Sequence, residues 1–223
     1  MAQESKQLIN LKEKKLTQVE QKNPFETSKV ERKLNTKDCR VLFLYPNERG
    51  MSTIPPSITA LSQILKDEGH QTALFDTTFY KFDDEITIED SDDITAKALT
   101  NRPVLERDDD DIHFKKTTRS AVLDFEASIE NFKPDFIAVS CTETTFLRAI
   151  KLIEKTRHKN IKNLFGGVFP TFAPELVMNY KSVDMVCVGE GENAIIDLAN
   201  SISNHEDYSN VTNLWIRQND GSI

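Results

Sequence analysis

Phe136-Ile137-Ala138-Val139-Ser140-Cys141-Thr142 is the stretch that decides the fold. Its apolar part is continuous, rich in β-formers and too short for a helix, which describes a strand buried on both faces. Pro134 cuts it off from the pattern upstream. It then runs out into small polar residues, and from about Thr144 to Thr156 Phe146, Leu147, Ile150 and Ile153 recur at helical spacing. A buried strand, a loop of small side chains and an amphipathic helix make up one half of a parallel crossover unit.

The same unit recurs on either side. Upstream, Val41-Leu42-Phe43-Leu44-Tyr45 is a second continuous apolar run, closed by Pro46. Pro55 and Pro56 then stand where a helix can begin, Ile58, Leu61 and Leu65 follow at helical spacing, and Gly69 stops the helix. Thr72 to Phe75 is another short strand, ending at Asp76. A helix is predicted over about Thr118 to Asn131, from Ala121, Val122, Phe125 and Ile129. Downstream, Leu164-Phe165 is a brief strand ending in Gly166-Gly167, and Pro174 opens a helix with Leu176 and Val177. Met185 to Val188 is a strand running into Gly189-Glu190-Gly191, and Ile195, Leu198 and Ile202 mark the helix after it. Leu214-Trp215-Ile216 adds a candidate edge strand. The alternation predicts a doubly wound α/β domain over residues 39–223, with five principal parallel strands in the order 2-1-3-4-5.

Two segments break the rhythm. Residues 1–38 are polar and Lys/Glu-rich, with Leu8, Leu11 and Leu16 as a thin apolar stripe, and read as a disordered or loosely helical arm. Residues 80–117 hold Asp83-Asp84-Glu85 and the run Asp108 to Asp111, and read as an acidic, solvated and dispensable insertion. Four successive carboxylates lack the alternating ligands and the glycine of a calcium loop.

The net charge of −8 argues against a general nucleic-acid binder, which needs clustered Lys and Arg. Cys39, Cys141 and Cys187 are too few and too far apart for a zinc site or a disulfide framework, and point to reduced thiols in the cytoplasm. No apolar run approaches the about 20 residues that span a bilayer, and Met1 to Glu20 lacks the apolar centre of a signal peptide.

In a doubly wound sheet, ligands bind beyond the carboxyl ends of the strands. The loops expected there carry Ser140-Cys141-Thr142, Gly166-Gly167 and Gly189-Glu190-Gly191-Glu192. Small residues admit a bulky ligand close to the backbone, and the free N–H groups of helix starts suit its phosphate or amide oxygens. No nucleophile–base pair stands out. Cys141, ahead of a helix, reads either as a thiol of lowered pKa or as a small buried residue in a tight turn. His70 falls at the start of a strand, away from the expected ligand edge, while His113, His158 and His205 lie in polar surroundings and read as surface residues.

The elements Gly166-Gly167-Val168-Phe169-Pro170-Thr171 and Gly189-Glu190-Gly191-Glu192, with Val41 to Pro46, Pro55-Pro56, Asp76 and Pro134 to Ser140, carry a resemblance. Over about residues 39–220 the chain resembles the N-terminal cobalamin-binding domain of radical-SAM enzymes. That resemblance implies a flavodoxin-like fold and a cobalamin whose corrin lies across the strand ends, its nucleotide tail buried beside the sheet. The site residues it implies are Pro46, Asn47, Ser140, Thr142, Gly166, Gly167, Phe169, Gly189, Glu190 and Gly191. The resemblance also implies a radical-SAM catalytic domain as partner, in cis or in trans, and a chain that is either one domain of a larger protein or a stand-alone relative. The residues depart from the pattern in two places. The loop Pro46 to Thr53 has no histidine for cobalt, and Cys-x-x-x-Cys-x-x-Cys is absent, so this chain offers no iron–sulfur cluster. Two other readings of the same fold stay open here: an interaction module without cofactor, and a binder of another nucleotide-like ligand such as flavin.

Overall fold

A computed structural model describes residues 38–47, 55–80, 82, 117–218 and 220–223. The arm 1–38 lies almost wholly outside the described residues, and so do 83–116 of the acidic insertion.

The strands are β1 (Arg40–Tyr45), β2 (Gln71–Asp76), β3 (Phe136–Ser140), β4 (Lys162–Gly166), β5 (Met185–Cys187) and β6 (Leu214–Ile216). They form one sheet in the order β2-β1-β3-β4-β5-β6. The first five are parallel, in the expected order, and β6 pairs antiparallel with β5. The sheet therefore has six strands rather than five, because Leu214-Trp215-Ile216 does take the outer edge.

Among the described residues six α-helices flank the sheet: α1 (Pro56–Asp67), α2 (Ala121–Phe132), α3 (Glu143–Thr156), α4 (Val168–Phe172), α5 (Pro174–Met178) and α6 (Glu192–Asn204). Their starts follow local chemistry. Pro56 occupies the first turn of α1, Ser120 caps α2 by accepting from Leu123 N, and Thr142 with Thr145 forms a capping box on α3. The α4 turn was not legible in the sequence, because five residues with one proline carry no helical period.

The two faces bury different side chains. One packs Phe75, Phe125, Phe146 and Phe165 under α2, α3 and α5, with Phe75 and Phe125 rings 5.0 Å apart. The other packs Val41, Phe43, Ala138, Leu164 and Cys187 under α1 and α6. Both sides of β1 and β3 are covered, which is why those strands read as unbroken apolar runs. The insertion has closed stems: Tyr80 and Thr117 form a bridge, and Tyr80 Oη donates to Asp124 at 2.8 Å.

Candidate functional site

Parallel register brings the loop-bearing strand ends to one edge. Ser140 pairs with Gly166, and Cys141 N donates to the Gly166 carbonyl at 3.1 Å. Beneath that edge, on the α1/α6 face, lies a slot of about 150 Å³. Phe43, Ala138, Leu164 and Cys187 form its floor, Ser57 and Leu61 of α1 one wall, and Ile195 of α6 the other. Its mouth is Ser140, Gly166, Gly167, Gly189, Glu190, Gly191 and Glu192. The slot exists because both helices begin with small side chains: Ser57 follows Pro56, and Gly191 is the N-cap of α6. Larger side chains at those starts would fill the slot.

The glycines at the mouth act differently. Gly167 has φ +106°, and a Cβ there would stand 2.6 Å from the Cys141 carbonyl oxygen, so this residue shapes the joint between two loops. A Cβ on Gly166 would meet nothing nearer than 3.9 Å, and one on Gly191 would lie 3.8 Å from Cys187 Sγ and 3.9 Å from Leu61. Those two positions tolerate a methyl group, and anything larger enters the slot. Gly189, at φ +89°, has open space around it, and its N–H donates to Thr171 Oγ1 at 3.2 Å.

Of the residues singled out in the sequence, Ser140, Gly166, Gly167, Gly189, Glu190 and Gly191 all line the slot. Pro46 and Asn47 lie at the same edge after β1, both buried, and Asn47 Nδ2 donates to Thr78 Oγ1 at 2.9 Å. Thr142 belongs to the cap of α3. Phe169 is turned to the opposite face, its ring 5.1 Å from that of Phe146. Sequence reasoning did not assign Phe43, Ser57, Leu61, Ala138, Leu164, Cys187 or Ile195 to the site. The signal was there for the strand positions, since side chains two apart share a face. Which of the two faces opens into a slot was not readable, because that depends on how two distant helices meet.

The thiols are free and buried. Burial pushes the Cys141 thiol up to about 12, so of its two readings the small buried residue holds. Cys187, in the slot, is raised to about 11 by burial, with the carboxylates of Glu192 and Glu190 adding to the shift. The three described histidines stand away from the slot. His70 Nδ1 accepts from Cys39 N at 3.1 Å at the amino end of the sheet, His158 faces Glu126 on the surface, and His205 closes α6. His113 lies outside the described residues. Among the described residues, no group of three or more His, Cys, Asp or Glu side chains converges to hold a metal ion.

The B12-binding domain pattern matches residues 47–199, more than half of the chain, and the chain belongs to that family. Two solved proteins are similar in fold. One is the radical S-adenosylmethionine methyltransferase TsrM from Kitasatospora setae, with cobalamin and a [4Fe-4S] cluster bound. It is 16% identical, with a TM-score of 0.60, over 83% of this chain and 30% of that one. The other is the cobalamin-dependent S-adenosylmethionine radical enzyme OxsB, with aqua-cobalamin and S-adenosylmethionine bound. It is 18% identical, with a TM-score of 0.50, over 84% of this chain and 22% of that one. The chain thus spans less than a third of the length of these proteins. No curated protein matches it in sequence.

The residues present fit the cofactor of the family. A slot of about 150 Å³ has room for one aromatic ring, and the nucleotide end of cobalamin carries such a ring. Apart from Glu190 and Glu192, the mouth offers backbone and small side chains rather than bulk, so a wide macrocycle can approach the strand ends. The cofactor-free and flavin readings are not favoured, since the matched pattern is that of B12-binding domains.

Proposed function

We propose that this domain holds cobalamin at the carboxyl edge of its sheet and presents it to a radical-SAM catalytic body, in the same chain or another. The slot between α1 and α6 supports this reading most directly, because it opens at the switch-point edge and is floored by small and apolar side chains. Cobalamin brings cobalt-centred group transfer and radical chemistry, and the protein supplies binding and orientation. Phe43, Ala138, Leu164 and Cys187 exclude water from the buried end of the ligand, and the loops at Ser140, Gly166 and Gly189 carry its rim. The site is read as metal-binding only through the cobalt of the ligand, without a histidine of this chain on the metal. A cytoplasmic setting fits three buried free thiols; among the described residues, no helix is long and apolar enough to cross a membrane.

Electron paramagnetic resonance of the reduced cobalt(II) form tests this reading. The full chain is loaded with hydroxocobalamin and desalted first. The expected signal is the same in wild type and in His70→Ala, His113→Ala, His158→Ala and His205→Ala. A nitrogen splitting that vanishes in one of those variants would overturn the histidine-free site.

A further inference from the structure

The crevice between β1 and β3 is the switch point of the sheet, where successive crossovers leave in opposite directions. A cationic side chain bridges it from the α3 side. Arg148 stands in the second turn of α3, half-buried. Its Nη1 donates to the main-chain carbonyl of Asn47 at 2.8 Å, across 101 positions of sequence. Asn47 is itself buried, 3% exposed, two residues beyond β1. The same carbonyl accepts Thr77 Oγ1 at 2.8 Å, from the residue after β2. The guanidinium lies 4.4 Å from the centroid of the Phe82 ring, where the chain enters the acidic insertion. One carbonyl and one cation thereby tie together the segments leaving β1 and β2, the start of α3 and the root of the insertion.

We propose that Arg148 is a positioning residue of the cobalamin site, fixing Asn47 and the chain that leaves β1 at the edge where the corrin rests, with Phe82 setting the plane of its guanidinium. The proposal rests on the cobalamin reading above. The chemistry requires arginine: a planar guanidinium donates along its edge while presenting its face to a ring, and an ammonium does not do both. Thr77 keeps its own bond to the Asn47 carbonyl when Arg148 is removed, and Asn47 N and Thr77 N both donate to the Tyr45 carbonyl, at 2.9 and 3.1 Å. The segment therefore stays attached while its orientation loosens, so ligand affinity falls further than stability.

Arg148→Met, Arg148→Lys, Phe82→Leu and the double variant Arg148→Met/Phe82→Leu, all in the full chain, test the proposal with hydroxocobalamin titrations and amide exchange of the unliganded protein. Arg148→Met is expected to weaken binding about tenfold, the size of one charge-assisted hydrogen bond, with Arg148→Lys recovering little of it. Phe82→Leu weakens binding about threefold, as loss of an exposed cation–π contact does, and the double variant is no weaker than Arg148→Met. Exchange at the Asn47 and Thr77 amides speeds up in Arg148→Met, while β3 and β4 are unchanged. Wild-type affinity in Arg148→Met, full rescue by lysine, or multiplying effects in the double variant would each overturn the proposal. If wild type retains no cobalamin, the reading it rests on fails, and the exchange measurement alone decides the clamp: unaltered exchange at Asn47 and Thr77 then overturns it.

Discussion

The two ends of the sheet are built on opposite principles. At the amino end, charged and polar side chains tie the segments together. Asp184, 4% exposed, receives Arg157 at 2.8 Å and Lys162 at 3.2 Å. It also accepts from Asn163 N at 3.1 Å and Asn163 Nδ2 at 2.8 Å. Asp135 accepts from Arg40 N at 2.7 Å, and the Arg40 guanidinium lies 4.8 Å from the centre of the Phe132 ring. At the carboxyl end, the strands stop in glycines and small residues around a slot of about 150 Å³. The amino end is tied by buried carboxylates and their cations, whereas at the carboxyl end the β3, β4 and β5 termini around the slot are left to backbone and space. Stability and ligand binding are thus placed at different ends, and substitutions at each should separate them.

The largest expected effect is at the amino end. Asp184→Ala removes the acceptor of the buried Asn163 N–H and the carboxylate of two cations, while Asn163 Nδ2 keeps the Ser182 carbonyl at 2.8 Å. It should cost about 2–3 kcal/mol, as buried unsatisfied donors do, read from urea unfolding, while the folded fraction still retains cobalamin. Gly167→Ala comes next, because φ +106° and a Cβ 2.6 Å from the Cys141 carbonyl force a strained joint. A loss of about 1–3 kcal/mol is expected, against a change within about 0.5 kcal/mol for Gly166→Ala. Equal losses at the two glycines would erase the distinction drawn between them.

A smaller effect is expected in acid. Burial favours the neutral form of Asp184, but the bonds and charge of Arg157, and then of Lys162, outweigh it and hold the carboxyl below its ordinary 3.8. Its contribution is therefore complete above about pH 4 and is lost as the pH falls through the lower folded-state value. Asp184→Asn should flatten that part of the acid unfolding curve and leave the neutral-to-alkaline limb in place. The smallest effect concerns the thiols. With Cys141 raised to about 12 and Cys187 to about 11, iodoacetamide at pH 7.5 should label neither in the folded chain. Rapid labelling of Cys187 would show that the slot is open to water.

The same contrast explains what the sequence revealed. Strands buried on both faces write themselves as runs such as Val41 to Leu44 and Phe136 to Val139, so the strand order followed from their alternation with helices. The mouth was legible because close approach to a ligand selects small residues, as at Ser140 and Gly166. The floor was not, since Ala138, Leu164 and Cys187 look like ordinary strand residues until α1 and α6 are seen to leave a gap above them. Phe169 shows the converse: it stands within the Gly166 to Thr171 stretch, yet the short α4 turn carries its ring to the other face, against Phe146. The bond from Arg148 to Asn47, across 101 positions, has no local signature at all.

The central claim is that the slot anchors the buried end of the ligand whose corrin lies along the carboxyl edge. Gly166→Leu tests it, since the backbone there tolerates a Cβ at 3.9 Å while a longer side chain fills the slot. Wild type and variant are incubated with hydroxocobalamin, desalted, and compared by corrin absorbance and by melting temperature. The account predicts that wild type keeps the corrin bands and that Gly166→Leu loses them without losing its cooperative melt. Equal retention by the two proteins, or no retention by folded wild type, would contradict it.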